Sequence, residues 1–406
     1  MSHILLTFLG RVPKNEHGYR TTRYDYGDGR DEPPTAFFGW SLQRRQQPDR
    51  LVVLGTAGSM WDHLFEGDDA FYEAGEAADN LTDAVKEKRV TAEHLAPLTP
   101  LLSARLGCEV ALELIPYARD SAEQVELLRI MAQHVDVDDR VDLDVTHGFR
   151  HLPMLAILAA LHLRSIRHAT IGGIWYGSYD EDTKQAPVHN LIGLLHIADW
   201  LQALNTYDKD GDYDVFGRLI ESSSSEAADA LRQAAFHEKT NNVGQARGPL
   251  RRFRQQFAAT NPDPLSQLFA NALQQRTAWV ENQSLAERQY ELAQHFLEHG
   301  DYLRAAILGF ESLVTRLVQA VPVQLDPNNY DHRKTIKDEW DAEIRRQRRQ
   351  RTETQQAYLD LRELRNSLAH CTRSDFGHIQ AALASEVSLR QALAQAIDLA
   401  HRGAMR

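Results

Sequence analysis

Two groups of residues in this chain have the types and spacing to do chemistry. The first is the hexapeptide Arg365–His370, RNSLAH, which sets an arginine, a polar Asn366 and a histidine within one and a half helical turns. A guanidinium holds a phosphate and its growing charge through a planar fork. A histidine gives or takes a proton near neutral pH. Spacing alone singles out nothing, because the chain has five Arg/His pairs at this separation: Arg89/His94, Arg129/His134, Arg232/His237, Arg365/His370 and Arg373/His378. The setting does. Leu361, Leu364 and Leu368 make an apolar stripe at helical spacing. Asn366 and His370 are four apart and share a different face, with Arg365 a quarter-turn from Asn366. The polar trio therefore borders a packing face.

The second group lies at three segments that read as strand ends: Leu9-Gly10-Arg11, then Gly55-Thr56-Ala57-Gly58-Ser59, then Asp144-Val145-Thr146-His147-Gly148-Phe149-Arg150. In open α/β sheets, ligands bind outside the carboxyl ends of the strands. Gly10, Gly58 and Gly148 permit close backbone approach, and a following helix N-terminus offers N–H groups to an anion. Thr56, Ser59 and Thr146 add hydroxyl donors, Arg11 and Arg150 add forks for phosphate, and His147 stands among them. These turns are a candidate anion site. They are no dinucleotide fingerprint, since GxGxxG is missing, and no Walker lysine follows.

Around these residues the first half of the chain alternates strand-like and helix-like segments. Apolar runs at Ile4–Gly10, Leu51–Thr56, Cys108–Pro116, Val141–Thr146 and Ala169–Tyr179 are separated by helical patterns at Thr35–Gln47, Phe71–Lys88, Ser121–His134 and Phe149–Arg164. That order predicts right-handed crossovers and a mostly parallel, doubly wound sheet. The tyrosine-bearing segment HGYRTTRYDYGDG, after the first strand, reads as an inserted strand or hairpin. Past about residue 190 the strand signals stop. A helix is expected over Leu191–Leu204, a loop over Tyr207–Asp214, a serine-capped helix near 225 and a break at Asn261-Pro262-Asp263-Pro264. Helices are then expected over Leu265–Gln294, Tyr302–Val318 and Lys334–Glu363. The resulting division is an α/β domain over 1–200, a helical connector over 201–264 and an all-α domain over 265–406.

Composition narrows the function classes. Lys+Arg total 45 and Asp+Glu 57, a net charge of −12, so a polyanion would meet a local basic patch rather than a basic body. The arginine run Arg345, Arg346, Arg348, Arg349 and Arg351 is such a patch or a solvated helix face. Two distant cysteines exclude a disulfide framework and a cysteine-rich zinc site, and fit a reducing cytosol. No apolar run approaches the roughly 20 residues of a membrane span, and the opening MSHILLTFLGR reads as a first strand rather than a signal peptide. His147/His151 and His295/His299 could each share a helix face, but HExxH and CxxC do not occur, so no metal site is expected.

RNSLAH at the end of a helical domain resembles the Arg-polar-x-x-x-His motif of HEPN ribonucleases, and AAILGFESLVTRL (Ala305–Leu317) resembles the helix that precedes it there. The first domain, with LLTFLG, VVLGT-AGS and DVTHGFRHLPM, is similar to the CARF domain of CRISPR-associated CARF–HEPN ribonucleases. Together the two resemblances cover most of the chain except the connector. They imply a Rossmann-like sensor domain, a homodimer with cyclic oligoadenylate bound across two CARF domains, and metal-independent cleavage of single-stranded RNA in type III CRISPR defence in the cytoplasm. Arg365, Asn366 and His370 are then the expected catalytic residues. Gly10, Arg11, Thr56, Gly58, Ser59, Thr146, His147, Gly148 and Arg150 are the expected activator contacts. No cofactor besides the activator is expected.

The chemistry is self-consistent. RNA carries its own nucleophile, the 2′-OH, so the protein must align it, move protons and stabilise a phosphorane. His370 serves as acid or base, Arg365 holds the phosphate, and Asn366 orients His370 or the substrate. A two-fold dimer doubles this short set. Glu311, on the preceding helix, is expected to pair with an arginine. Cyclic tetra-adenylate is the first choice of activator, with the hexamer second; Thr146 and His147 either help degrade it or only bind it. The alternative reading is a non-catalytic sensor that binds nucleic acid through the connector, where Arg247, Arg251, Arg252 and Arg254 cluster.

Overall fold

The computed structural model describes every residue except 17, 67–68, 260–263, 348–349 and 404–406. The chain divides into two units, Met1–His196 and Ile197–Arg406.

Among the described residues the first unit has eight strands: β1 (His3–Leu9), β2 (Lys14–Asn15), β3 (Gly18–Tyr19), β4 (Arg50–Gly55), β5 (Glu109–Leu114), β6 (Arg140–Asp144), β7 (Thr170–Gly177) and β8 (Val188–Asn190). Six form one sheet in the order β5-β4-β1-β6-β7-β8, parallel except for β8, and β2-β3 is a small separate hairpin. The alternation along each strand explains the layering. Leu5, Leu51 and Val53 join one core; Ile4, Leu6, Val52 and Leu54 join the other. Strands apolar on both faces must be covered on both. Helices α1 (Phe38–Gln46), α2 (Asp69–Glu73), α3 (Glu76–Lys86), α4 (Ala92–Leu95) and α5 (Thr99–Leu106) lie in the chain stretch that supplies the first cover, through Phe38, Leu42, Leu81 and Leu102. Helices α6 (Ser121–Gln133) and α7 (Leu152–Arg167) supply the second, through Leu127, Met131, Leu152 and Ala156.

Two departures from expectation occur here. The helix expected over Phe71–Lys88 is interrupted at Gly75, whose φ of +57° ends α2 and starts α3. The antiparallel edge strand β8 is not among the expected strands; it is three residues long, too short to carry an alternation.

The second unit is all helical: α8 (Gly193–Asp210), which crosses from the first unit, α9 (Asp214–Ile220), α10 (Ser225–Lys239), α11 (Val243–Ala259), α12 (Pro264–Arg276), α13 (Leu285–Glu298), α14 (Tyr302–Ala320), α15 (Tyr330–Arg346), α16 (Glu353–His370), α17 (Gly377–Ala382) and α18 (Glu386–Arg402). Ser224 caps α10, its hydroxyl accepting the Ala227 N–H at 3.2 Å. The stretch expected as a connector, 201–264, has no core of its own. Phe216, Leu231 and Phe253 share one apolar cluster with Leu292, Phe310 and Leu361.

Packing corrects three element boundaries. The polar stretch expected as a loop from Tyr207 is helical to Asp210, because Tyr207 is buried against Tyr213, their hydroxyls 3.0 Å apart. The helix expected over Leu265–Gln294 breaks at Thr277, where the buried Trp279 turns in to donate to the Tyr213 hydroxyl at 2.9 Å. The helix expected over Lys334–Glu363 is two, because Thr352 and Gln355 form a capping box that starts α16. The expected break at 261–264 falls mostly outside the described residues; Pro264 opens α12.

Candidate functional site

In the first unit the chain runs outward from β1 through β4 to β5, then returns to the other side of β1 as β6. Such a reversal leaves a crevice at the carboxyl ends of the strands. A cavity of about 440 Å³ opens there, lined by Gly10, Arg11, Thr56, Gly58, Ser59, Thr146, His147 and Gly148 among others. All the expected contacts line it except Arg150, which is exposed and outside the lining.

The glycines work as the turn chemistry requires. A side chain on Gly10 would put its Cβ 2.6 Å from the Gly148 nitrogen, and Gly148 itself sits at φ +104°. The backbones after β1 and β6 thus touch, and only glycine permits it. Leu152 and Phe149 complete this wall, so the first turn of α7 faces the cavity with its N-terminal end.

The hydroxyls are more committed than expected. Ser59 Oγ donates to the Leu9 carbonyl at 2.5 Å and accepts the Thr56 N–H at 3.0 Å. It ties the β4 turn to β1 and has no proton left to offer a ligand. Thr146 Oγ1 accepts the Gly177 N–H at 2.9 Å, and its side chain also bonds the buried Asp144 carboxyl. His147 Nε2 accepts the Phe38 N–H at 3.0 Å. Burial, with the nearby His63, pushes the His147 pKa down to about 4, so the ring is a neutral acceptor that fixes the turn. Nor do His147 and His151 share a helix face: His147 is in the turn, while His151 caps α7 and its Nε2 meets the Tyr117 carbonyl at 2.9 Å. Among the described residues, no group of three His, Cys, Asp or Glu is placed to hold a metal ion.

Two polar lining residues are absent from the sequence-based set, Lys88 and Tyr117. Tyr117 follows β5, and the strand-end rule applied to that strand would have found it. Lys88 has no such signal; it sits just past α3 at φ +57°. Arg11 and Lys88 are exposed, neither has an ion-pair partner among the described residues, and no carboxylate lines the cavity. The cavity is therefore a cationic, glycine-framed recess suited to an anion.

The second unit holds the hexapeptide at the end of α16. Leu361 and Leu364 are fully buried, and Leu368 packs against the same core. Truncating either buried leucine to alanine would cost about 2–5 kcal/mol. Arg365 and Asn366 are half-buried, and His370 is exposed as the last helical residue, with Cys371 in the left-handed conformation ending the helix. Arg365 lies over the Phe310 ring, 4.7 Å from its centre. Its Nη2 donates to Asn366 Oδ1 at 2.8 Å, and its Nη1 is 3.9 Å from Glu311 Oε1. Glu311 is also paired with Arg333. Asn366 thus holds Arg365, not His370 as one expectation had it. Of the arginine run, Arg345 and Arg346 end α15 and Arg351 precedes α16, all exposed; Arg348 and Arg349 lie outside the described residues.

Comparison with known proteins gives a family match within the first unit. Residues 4–180 match the family described as CRISPR system endoribonuclease Csx1, CARF domain. The CRISPR-associated protein MJ1674 of Methanocaldococcus jannaschii is 24% identical over 274 residues, which cover 61% of this chain and 43% of that protein. The chain thus spans less than half the length of this relative. The solved structure of Enterococcus italicus Csm6 bound to cyclic hexa-2′-fluoro-hexa-dAMP aligns with 98% of this chain and 92% of that one, at 12% identity and a TM-score of 0.39.

Proposed function

We propose that this chain is an endoribonuclease for single-stranded RNA, switched on by a cyclic oligoadenylate, first of all the tetra-adenylate, in type III CRISPR defence. The observation that carries the reading is the cavity at the strand ends. It lies within the stretch that matches the CARF family, and it offers Arg11, Lys88 and the α7 N-terminus to an anion without one opposing carboxylate. A ring of phosphates suits two such recesses related by a two-fold axis, so the active species is a homodimer. Activation requires the ring to bind the active arrangement more tightly than the resting one.

At the hexapeptide the proposed reaction is transesterification. The RNA 2′-oxygen attacks the adjacent phosphorus, a histidine takes its proton, and the bond from phosphorus to the 5′-oxygen breaks. A second proton goes to that leaving oxygen, and a 2′,3′-cyclic phosphate remains. His370 of each subunit supplies one proton-transfer group, and Arg365 holds the phosphorane charge. The geometry that supports this role is an arginine already aimed by Asn366, Glu311 and Phe310, with an exposed histidine at the end of the same helix. The test is an RNA cleavage assay in excess EDTA, with and without cyclic oligoadenylates. Cleavage that appears only with the activator agrees with the reading. Activator binding without any cleavage would leave a sensor, and cleavage indifferent to every ring would remove the sensor.

A further inference from the structure

A second cavity, of about 290 Å³, shares Thr146 and His147 with the first and is otherwise different in chemistry. Its walls include Tyr24, Tyr176 and Tyr179. Its one cation, Arg20, is 3.6 Å from Glu181, also in the lining, and the guanidinium lies over the Tyr179 ring at 4.6 Å. Charge therefore cancels here, where in the first cavity Arg11 and Lys88 stand unopposed. Tyr176 is 38% exposed and stacks loosely on His189, ring centres 6.5 Å apart, so its ring stays partly open. Tyr24 is only 5% exposed, and its hydroxyl makes no hydrogen bond among the described residues. The ring is buried, but the hydroxyl oxygen keeps access at the cavity wall, where it is free to bond a ligand.

We infer that this second cavity receives the base of an adenylate unit whose phosphate lies in the first cavity. The inference rests on the first cavity being the phosphate site. A neutral, planar ring with acceptor nitrogens matches a charge-balanced pocket of three tyrosines whose hydroxyls make no hydrogen bond among the described residues, and a phosphate does not. Stacking on Tyr176 supplies affinity for any base. The Tyr24 hydroxyl supplies selectivity, because a site built to hydrogen-bond one ring leaves a buried group unpaired with the wrong one. The shared wall of Thr146 and His147 sets the separation between phosphate and base. The tyrosines come from the segment inserted after β1 and from the end of β7, so the insertion has a role in recognising the ligand.

The experiment is equilibrium binding of cyclic tetra-adenylate and cyclic tetra-uridylate to the full chain and three variants. Tyr24→Phe keeps the ring, which packs 4.5 Å from Phe38, and so removes only the hydroxyl. It is expected to weaken adenylate binding by about three- to tenfold and to shrink the preference over uridylate. Tyr176→Ala is expected to weaken both rings by about tenfold or more. Lys88→Met should weaken both equally and leave the preference intact. If Lys88→Met weakens binding while both tyrosine variants keep the wild-type affinity and preference, the base site is wrong and the phosphate site stands. If the wild-type chain binds neither ring, the phosphate reading falls and takes this one with it.

Discussion

Arg365 is oriented by its own neighbour: its Nη2 reaches Asn366 Oδ1 at 2.8 Å and its Nε at 3.3 Å, while His370, five residues on from Arg365, lies exposed at the helix end. In this chain, then, Asn366 acts on Arg365, the group proposed to hold the phosphate. Asn366→Ala is expected to slow single-turnover RNA cleavage about 10- to 100-fold, the scale of a hydrogen bond to a charged group. The shape of the pH–rate profile should not change. A profile whose histidine limb moves would show that Asn366 tunes His370 instead.

Removing the proton-transfer group should be more severe. His370→Ala is expected to abolish cleavage while activator binding is kept, and Arg365→Lys should not restore an Arg365→Ala defect, since lysine lacks the planar fork. Wild-type cleavage should survive excess EDTA and leave 2′,3′-cyclic phosphate ends. Products bearing 3′-hydroxyls, or a strict need for Mg²⁺, would point to a metal-dependent nuclease.

The strand-end cavity ranks its cations. Arg11→Ala and Lys88→Met should each raise the activator concentration for half-maximal cleavage by an order of magnitude or more, on the scale of roughly 1.5–3 kcal/mol for a charged hydrogen bond. Arg150→Ala should do so by less, because Arg150 is outside the lining. An activation titration on the three variants checks this order, and a larger shift for Arg150→Ala than for Lys88→Met would reverse it.

A buried acid should make the helical unit sensitive to alkali. Glu238, on α10, is 2% exposed, and burial pushes its pKa up to about 8 against the pull of Arg304 and the Tyr213 hydroxyl, with Asp212 adding to the rise. The folded chain therefore holds a proton that the unfolded chain gives up near 4.5. Stability from this group is complete below that value and is lost as pH rises towards about 8, by a few kcal/mol in all. Urea unfolding between pH 5 and 9 should show that slope, and Glu238→Gln should flatten it and gain most at the alkaline end. An unchanged slope in the variant would dismiss Glu238 as its source.

Much of the architecture is legible in the amino-acid sequence. Apolar runs bounded by glycine or polar turns mark the five long strands, because a strand buried on both faces must be apolar along its length. Leu361, Leu364 and Leu368 mark the packing face of α16, because helical spacing and burial are properties of neighbours in the chain. The rule that ligands sit at strand ends finds Gly10, Thr56, Gly58, Thr146 and Gly148 around one cavity.

What the sequence does not decide is which partner each polar group takes. Ser59 and Leu9 are 50 residues apart, and His147 and Phe38 are 109 apart. Only the folded unit makes the Ser59 hydroxyl and the His147 ring structural straps instead of ligand donors. Lys88 enters the crevice because α3 ends there. The loop expected from Tyr207 becomes helix because Tyr213, Trp279 and Arg276 pack against it. Local pattern specifies backbone geometry and the face to be buried. The hydrogen-bond pairing within a site is set by contacts distant in sequence, since a buried donor or acceptor must be satisfied by whatever the fold brings to it.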